Sequence, residues 1–557
     1  MIPIEFLKGD SGCFVSSVLL LSLALMGINV ASARRARAAL VHQKICRKSA
    51  DASSKNQPLA GNVICVLVVL TVYSVLLAVL QRWFSAFLIG LGLILALWAG
   101  NRLKEEILDE PLVFSDVFLA GHALRYPRLY FGYAPLWFWP LLLMAIAALG
   151  AGISWEPEAG AAWAAGAAWG FILLDVLVSV MLWIFKGWAE WLLRSHPLAF
   201  SANEDAARYT PIGASFFHLL WHAQFRRKMQ EEVRLKESRS VPDDRTSQKS
   251  AVAERPRHLL MVQAESFAPI HELLGRKSVI PGIEKLMKEG RGGMFDLDWR
   301  GAYTMRSEFS VLTGRRMSSV GTYGFDPYRL AAMEPMDSIA WDLRRAGWRT
   351  IAWHPNDGRF FDRIHVLRNL GFEDFWDLKK LQARYGDRLK KHGRYVSDAA
   401  LLGLAAEFLE SQAEKTFLFI ITMENHGPWS AAMQGEEMKQ EEGEGRGTAD
   451  SLTNELHFYE AHLSSLDAGV RSVMNAVASG DLRSDFVLYG DHIPGLKVLS
   501  IDRMTERWGQ DKRWTAWVYW RLGMTPISQN IRPECLRRVI LGEQGLTRKL
   551  SELNSDR

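Results

Sequence analysis

Cysteine is scarce in this sequence, with four residues among 557: Cys13, Cys46, Cys65 and Cys535. Only the last lies in the charged, water-soluble remainder of the chain, so an internal disulfide and a cysteine metal cluster are both excluded there. Excess charge is small too. The formal net charge of +5 is spread over the whole length and indicates no nucleic-acid surface.

Long apolar runs, in contrast, are concentrated in the first third. Each is about long enough to cross a bilayer at roughly 1.5 Å per helical residue, and several have Trp near an end, where the ring favours the headgroup level. The runs are residues 11–33, 62–81, 83–100, 134–155 and 161–185. They predict an α-helical membrane domain of about five spans within residues 1–200, in preference to five buried helices of a soluble protein.

The first run raises two further questions. Only Lys8 precedes it as a cation, and more runs follow, so we predict an uncleaved helix and not a signal peptide. Residues 34–56 then carry seven Lys or Arg against one Asp, which favours the cytoplasmic side of a membrane. With five spans, that placement would put the C-terminal domain in the cytoplasm as well.

The remainder of the chain has the pattern of an α/β domain. A charged juxtamembrane segment and linker covers residues 201–257. From residue 258 to 557, short apolar runs alternate with amphipathic stretches, which is typical of a largely parallel central sheet. The predicted strands are "HLLMVQA" (258–264), "RTIAW" (349–353), "TFLFIITM" (416–423) and "DFVLY" (485–489).

Each predicted strand leads into polar residues that can carry chemistry. Glu265 follows the first strand, and Asp491 and His492 follow the last. Because ligands bind at the carboxyl ends of strands in open α/β sheets, we expect these side chains to meet in one crevice. Two carboxylates and an imidazole suit a divalent ion such as Mn²⁺, Mg²⁺ or Zn²⁺, and the imidazole shifts the balance away from Mg²⁺.

Thr304 is the candidate fourth ligand. It precedes "SEFSVL", which is typical of the start of a helix, where free N–H groups favour a phosphate. A metal ion would lower the pKa of its hydroxyl and make attack on phosphorus feasible. The alternative is that Thr304 only caps the helix.

Five motifs resemble those of the lipoteichoic acid synthase family, which includes membrane phosphoglycerol transferases within the alkaline phosphatase and sulfatase superfamily. They are "QAESF" (263–267), "YTMRSEFSVLTG" (303–314), "WHPNDGRFFDR" (353–363), "TMENHGPW" (422–429) and "YGDHIPG" (489–495). The resemblance implies an alkaline-phosphatase-like fold for the soluble domain. It also implies one divalent metal ion, with Mn²⁺ as first choice and Mg²⁺ or Zn²⁺ as alternatives.

The resemblance assigns roles to individual residues. The metal positions, with Thr304 also the nucleophile, are Glu265, Thr304, Asp491 and His492. The headgroup pocket is matched by His354, Asn356, Phe361 and Arg363. His426 matches the histidine that contacts the substrate phosphate or leaving group; the alternative is a structural hydrogen bond at the strand end. Relatives often have Asp at position 356 and Trp at 361, so the headgroup stays open.

The resemblance implies a membrane-anchored phosphotransferase that moves phosphoglycerol from an anionic phospholipid, phosphatidylglycerol, to a glycan or polymer hydroxyl through phospho-threonine. It places the enzyme in a bacterial inner (cytoplasmic) membrane, with the catalytic domain periplasmic or extracellular, against the charge bias of residues 34–56. The alternatives are a phosphoethanolamine transferase, a sulfatase-like hydrolase or an inactive envelope scaffold. No Cys/Ser-x-Pro-x-Arg sequence, from which sulfatases make formylglycine, surrounds Thr304.

Overall fold

The computed structural model describes residues 10–44, 58–117, 186–234, 257–299, 301–429, 451–499 and 514–546, with a few isolated positions between 140 and 180. The chain divides into two compact units, Met1–Arg227 and Lys228–Arg557.

The first unit is helical where it is described. Its helices are α1 (Asp10–Lys44), α2 (Pro58–Leu80), α3 (Trp83–Leu108), α4 (Lys186–Ser195) and α5 (Ala202–Tyr209). A further helix, α6 (Pro211–Val233), begins in the first unit and ends in the second. The predicted juxtamembrane segment and linker, 201–257, thus contains α5 and α6, and its residues 235–256 lie outside the described residues.

Three stretches of the first unit are long and apolar enough to cross a membrane: Ser16–Ala36, Leu59–Leu80 and Trp83–Glu106. They coincide with the first three predicted runs. The fourth and fifth runs, 134–155 and 161–185, lie outside the described residues apart from isolated positions, so the count of five is not confirmed.

Polar contacts join α1 to α3. Glu105 accepts a hydrogen bond from Arg35 Nε at 2.6 Å and one from Ser32 Oγ, while Asn101 Nδ2 donates to Ser32 Oγ at 3.0 Å. Buried polar groups in an apolar environment need partners. This network therefore fixes how α1 and α3 pack.

The second unit is built on an eight-stranded sheet. Its strands are β1 (His258–Ala264), β2 (Arg291–Asp296), β3 (Arg349–Trp353), β4 (Asp374–Trp376), β7 (Thr416–Ile421), β8 (Ser484–Gly490), β9 (Trp514–Trp520) and β10 (Ile527–Ser528). A separate antiparallel hairpin is formed by β5 (Lys391–His392) and β6 (Tyr395–Val396). The sheet order is β10-β2-β9-β8-β1-β7-β3-β4, and only the pairs of β9 with β2 and β8 are antiparallel. The predicted α/β domain with a largely parallel sheet is confirmed.

The central strands are buried on both faces. All seven residues of β1 and of β8, and all six of β7, are buried. This explains their continuous apolar sequences, because helices cover both sides of a parallel sheet. The four strands predicted from the sequence match β1, β3, β7 and β8 to within two residues at each end.

Helices connect and cover these strands. They are α7 (Ile270–Leu274), α8 (Pro281–Glu289), α9 (Thr304–Thr313), α10 (Pro327–Met333), α11 (Ile339–Arg345), α12 (Arg363–Asn369), α13 (Leu378–Tyr385), α14 (Asp398–Glu410), α15 (Ser451–Ala478) and α16 (Pro533–Glu543). Short 3-10 helices cover Met317–Phe325, Phe360–Asp362, Gly386–Arg388 and Lys497–Leu499. The largest apolar core lies between the sheet and the long helices α14 and α15.

Candidate active site

The polar residues predicted to meet lie at one edge of the sheet. Strands β8, β1, β7 and β3 are neighbours in that order and run parallel, so their carboxyl ends lie side by side. Glu265 follows β1, and Asp491 and His492 follow β8. His354 follows β3, and Glu424 to His426 follow β7. The structure thus brings the four strand ends together at the edge of the sheet where the sequence predicts a crevice.

Glu265, Asp491 and His492 form a buried carboxylate–imidazole group. One potential ligand atom from each lies within 4.8 Å of the others. His492 Nε2 is 3.2 Å from Glu265 Oε1 and 3.4 Å from Asp491 Oδ2. On its other side the ring donates from Nδ1 to the Ile493 carbonyl at 3.0 Å, which leaves Nε2 directed at the two acids.

Backbone and hydroxyl donors hold the two acids in place. The N–H groups of Ser266 and His492 each donate to Asp491 Oδ1 at 2.8 Å, and Ser266 Oγ donates to Glu265 Oε1 at 2.9 Å. Asp491 Oδ2 accepts no hydrogen bond within the described residues. An oxygen that is buried, oriented and without a hydrogen bond is well suited to a cation.

The charges of the three groups shift one another. Burial, and then the charge of Glu265, raises the pKa of Asp491, although the nearby Thr304 hydroxyl offsets part of this. Burial alone would lower the pKa of His492, but the two carboxylates raise it to about 9. Burial alone would raise the pKa of Glu265, but the contact with His492 lowers it. A proton on His492 thus balances carboxylate charge that a divalent ion could balance instead.

Thr304 is the first residue of α9 and faces this group. Its hydroxyl interacts with the Asp491 carboxylate, and Ser307, one turn later, donates from Oγ to the Asp491 backbone carbonyl. The first N–H groups of a helix lack partners within the helix and favour an anion. The structure thus brings together the four predicted metal positions, and their oxygen and nitrogen donors fit a divalent ion; their roles as ligands stay a prediction.

His354 and Arg363 lie in a second part of the crevice. His354 donates from Nδ1 to the Ile421 carbonyl at 3.1 Å and accepts at Nε2 from Arg363 Nη1 at 3.2 Å. Burial and the neighbouring guanidinium lower the pKa of His354 well below its ordinary value, so the ring is neutral. Arg363 also donates from Nη2 to Glu308 Oε2 at 3.3 Å, and its buried Nε makes no hydrogen bond within the described chain.

The other two predicted headgroup residues flank this pair. The Phe361 ring centroid is 5.5 Å from the Arg363 guanidinium carbon. Asn356 lies farther along the loop after β3, where its N–H donates to the His354 carbonyl at 2.7 Å and its Nδ2 lies 3.8 Å from Met423 Sδ. The predicted pocket residues are therefore neighbours, and whether they bind a headgroup stays a prediction.

His426 is partly exposed and near enough to Glu265 to influence its charge. Its Nδ1 donates to the Gly427 carbonyl at 2.7 Å, so Nε2 is available, and its charge contributes to lowering the pKa of Glu265. The Tyr395 ring, on β6, lies 6.0 Å from the His426 ring between centroids. A catalytic role and a structural role for His426 are both compatible with these contacts.

Sequence reasoning missed several residues of this crevice. Glu308 lies four residues after Thr304 and so on the same face of α9, a spacing that could have identified it. The Arg363 guanidinium carbon lies 5.9 Å from the ring centroid of Tyr328, which is on α10. Tyr328 had no sequence signal. His392 and His462, which contact the region of Glu424, had none either.

Comparisons with known proteins agree with this fold. Residues 257–521 match the family model described as Sulfatase. A curated relative, the capsular polysaccharide biosynthesis protein RkpI of Rhizobium meliloti (strain 1021), is 27% identical over 409 residues, and the match covers 71% of this chain and 71% of that protein.

Two solved structures resemble the chain. The lipooligosaccharide phosphoethanolamine transferase EptA from Neisseria meningitidis is 13% identical with a TM-score of 0.55, over 96% of this chain and 95% of that one. The phosphoglycerol transferase GacH from Streptococcus pyogenes is 22% identical with a TM-score of 0.43, over 58% of this chain and 81% of that one. The likeness to EptA concerns the fold and extends over nearly the whole of both chains.

Proposed function

We propose that this chain is a membrane-anchored phosphotransferase of the alkaline phosphatase and sulfatase superfamily, because residues 257–521 match the Sulfatase family model. Its substrate would be an anionic phospholipid, phosphatidylglycerol, and its acceptor a hydroxyl of a glycan or polymer. The observation that carries the proposal is the hydroxyl of Thr304, held at a helix N-terminus against the carboxylate of Asp491.

The resident ion would be held by Glu265, Thr304, Asp491 and His492, with Mn²⁺ as first choice. When bound, such an ion supplies positive charge that favours the alkoxide form of a threonine and offsets charge on phosphate.

Thr304 Oγ1 then attacks the phosphorus of the lipid, and the bond from phosphorus to the diacylglycerol oxygen breaks. His426 Nε2 is the candidate donor of the proton that the departing diacylglycerol takes up. The acceptor hydroxyl next attacks the same phosphorus, the bond to Thr304 breaks, and the acceptor's proton returns to the site. The product is a phosphoglycerol ester of the glycan.

Other side chains of the chain would bind and orient the phosphate. The first N–H groups of α9 point toward an anion at Thr304. The Nε of Arg363, which makes no hydrogen bond with any residue that the structure describes, is available to a phosphate oxygen, while Glu308 and His354 fix the guanidinium plane. Positioning and charge stabilisation are most of what an enzyme contributes to phosphoryl transfer.

The membrane domain would have five spans and lie in a bacterial inner membrane, so that the site stays near its lipid donor. The catalytic domain would face the periplasm or the outside of the cell. The name of RkpI, which refers to capsular polysaccharide, supports a glycan acceptor.

The test uses full-length protein in detergent micelles with Mn²⁺ and labelled phosphatidylglycerol. We expect release of diacylglycerol and a phosphoglycerol adduct on the peptide that contains Thr304. Thr304→Ala should lower lipid turnover by at least about 10³-fold, because the nucleophile is lost. Ser319→Ala removes an exposed hydroxyl in the neighbouring 3-10 helix and should leave turnover unchanged.

Phosphatidylethanolamine is offered in a parallel reaction. Turnover of that lipid alone would replace the proposed headgroup with phosphoethanolamine. Equal turnover by wild type and Thr304→Ala, or none by either, would contradict the proposed mechanism.

A further inference from the structure

A second cluster of potential ligands lies beside the proposed catalytic site and shares no residue with it. It consists of His392 on β5, Glu424 after β7 and His462 on α15, and one ligand atom from each lies within 4.8 Å of the others. Glu424 and His462 are almost fully buried, whereas the His392 side chain is 31% exposed. The cluster is thus deep, with one histidine at its rim.

The carboxylate of Glu424 is fixed in orientation. His392 Nδ1 donates to its Oε1 at 2.5 Å, Ser465 Oγ donates to its Oε2 at 2.8 Å, and the backbone N–H of Asp398 donates to the same oxygen. The two imidazole rings lie 5.4 Å apart between centroids at an angle of 75°. The proton between His392 and Glu424 occupies the place that a metal ion takes when such a pair binds one.

A second carboxyl group lies beside the cluster. Asp398 is buried next to Glu424, to which its backbone N–H donates. Its Oδ1 accepts no hydrogen bond from any described residue.

The simpler interpretation is an ion pair between His392 and Glu424 that only anchors the hairpin. That role would need these two residues alone. The structure adds a second imidazole, so that three ligand groups converge from β5, the end of β7 and α15, and Asp398 of α14 is buried beside them. Burying Glu424, His462 and Asp398 together is costly unless an ion or proton compensates.

We propose that His392, Glu424 and His462 form a second metal site that binds Zn²⁺. Two imidazole nitrogens and a carboxylate oxygen, without thiolate, are a donor set that Zn²⁺ accepts, and three protein ligands leave one position open. The distances between ligand atoms would adjust to about 3.3 Å, the spacing that tetrahedral Zn²⁺ with ligands at about 2.0 Å requires.

The site would position a residue of the catalytic crevice. His392 and Tyr395 lie on the two strands of the same hairpin, and their strands pair with His392 opposite Tyr395. Tyr395 in turn lies beside His426. Zn²⁺ would therefore fasten the hairpin to β7 and α15 and hold Tyr395 against His426. This consequence rests on the proposed function, whereas the metal site does not.

The experiment measures metal content, so that its result is independent of activity. Full-length protein carrying Asp491→Asn, which disables the proposed catalytic site, is stripped with a chelator, equilibrated with Zn²⁺ and assayed by mass spectrometry of the metal. We expect one tightly bound Zn²⁺ per chain. Adding His462→Gln should weaken that binding more than about 10-fold, because a ligand is removed.

His457→Gln, an exposed histidine on the same helix α15, is the matched control and should retain the ion. If His462→Gln fails to fold, His392→Gln at the rim replaces it. Co²⁺ in place of Zn²⁺ should give the absorption of a tetrahedral nitrogen and oxygen site, lost in the same variants. The proposal is overturned if the Asp491→Asn protein binds no Zn²⁺, or if both histidine variants bind it as tightly as His457→Gln does.

Discussion

Glu308 and Arg363 form a buried ion pair, with 3.3 Å between Glu308 Oε2 and Arg363 Nη2. Glu308 lies one helical turn after Thr304 on α9. Burial alone would lower the pKa of Arg363, but the charge of Glu308 raises it above the ordinary value. The pair also touches Tyr328, whose hydroxyl pKa is raised well above its ordinary value by burial and then by Glu308. One carboxylate thus keeps a charged donor inside the crevice.

We expect Glu308→Gln to lower the free energy of unfolding by about 3 kcal/mol, because the guanidinium would stay buried without its counter-charge. Lipid turnover should fall as well, since Arg363 would no longer be held in one orientation. Thermal unfolding of the detergent-solubilised full-length protein measures the first effect. Glu407→Gln breaks an exposed pair with Arg388 and should not change the unfolding temperature; an equal loss in both variants would contradict this account.

The segment after β1 and the end of β8 approach closely at the site. Gly490, the last residue of β8, pairs with Ala264 of β1, and a Cβ at this position would lie 2.0 Å from the Phe267 carbonyl oxygen. The next residue is Asp491. A shift of the backbone here therefore moves a predicted ligand.

We expect Gly490→Ala to destabilise the domain by about 3 kcal/mol and to abolish lipid turnover, because the added methyl group displaces backbone and not a flexible side chain. The control is Gly403→Ala within α14, where a Cβ would meet nothing within 4 Å. That variant should gain up to about 1 kcal/mol from helix propensity. Similar unfolding temperatures for both variants would show that the close approach is not needed.

Prediction from sequence succeeded where the signal was local. Strands β1, β3, β7 and β8 are continuous apolar runs because both of their faces are covered, and the residues after them must share one edge once the strands are parallel. Strands β4, β5, β6 and β10 have two or three residues, too few to show a period, and β2 contains two glycines. His462 could not be predicted, because the rotation of α15 against the sheet depends on tertiary packing.

At the scale of the whole molecule, the side of the membrane on which the domain lies is linked to the number of spans. Any odd number of spans after the N-terminus puts the basic segment 34–56 and the C-terminal domain on the same side. The proposed outward catalytic domain therefore requires this basic segment to face outward, against the usual charge bias.

We expect reporters fused after residue 56 and after residue 557 to give the same result, namely an active alkaline phosphatase and a non-fluorescent green fluorescent protein. This combination identifies both positions as extracytoplasmic. Opposite results at the two positions would require an even number of spans between the N-terminus and the domain. Two cytoplasmic results would contradict the proposed location of catalysis.

The pairing of β1 with β8, from His258↔Ser484 to Ala264↔Gly490, has a consequence for biosynthesis. Two neighbouring strands in space are separated by more than 200 residues of chain, a long loop to close and a slow contact to make. The ribosome must therefore deliver more than 200 residues after Glu265 before Asp491 can join it. A nascent chain that ends before Asp491 would lack one of the four residues of the proposed metal site, so the proposed lipid turnover would begin only after that segment has been made.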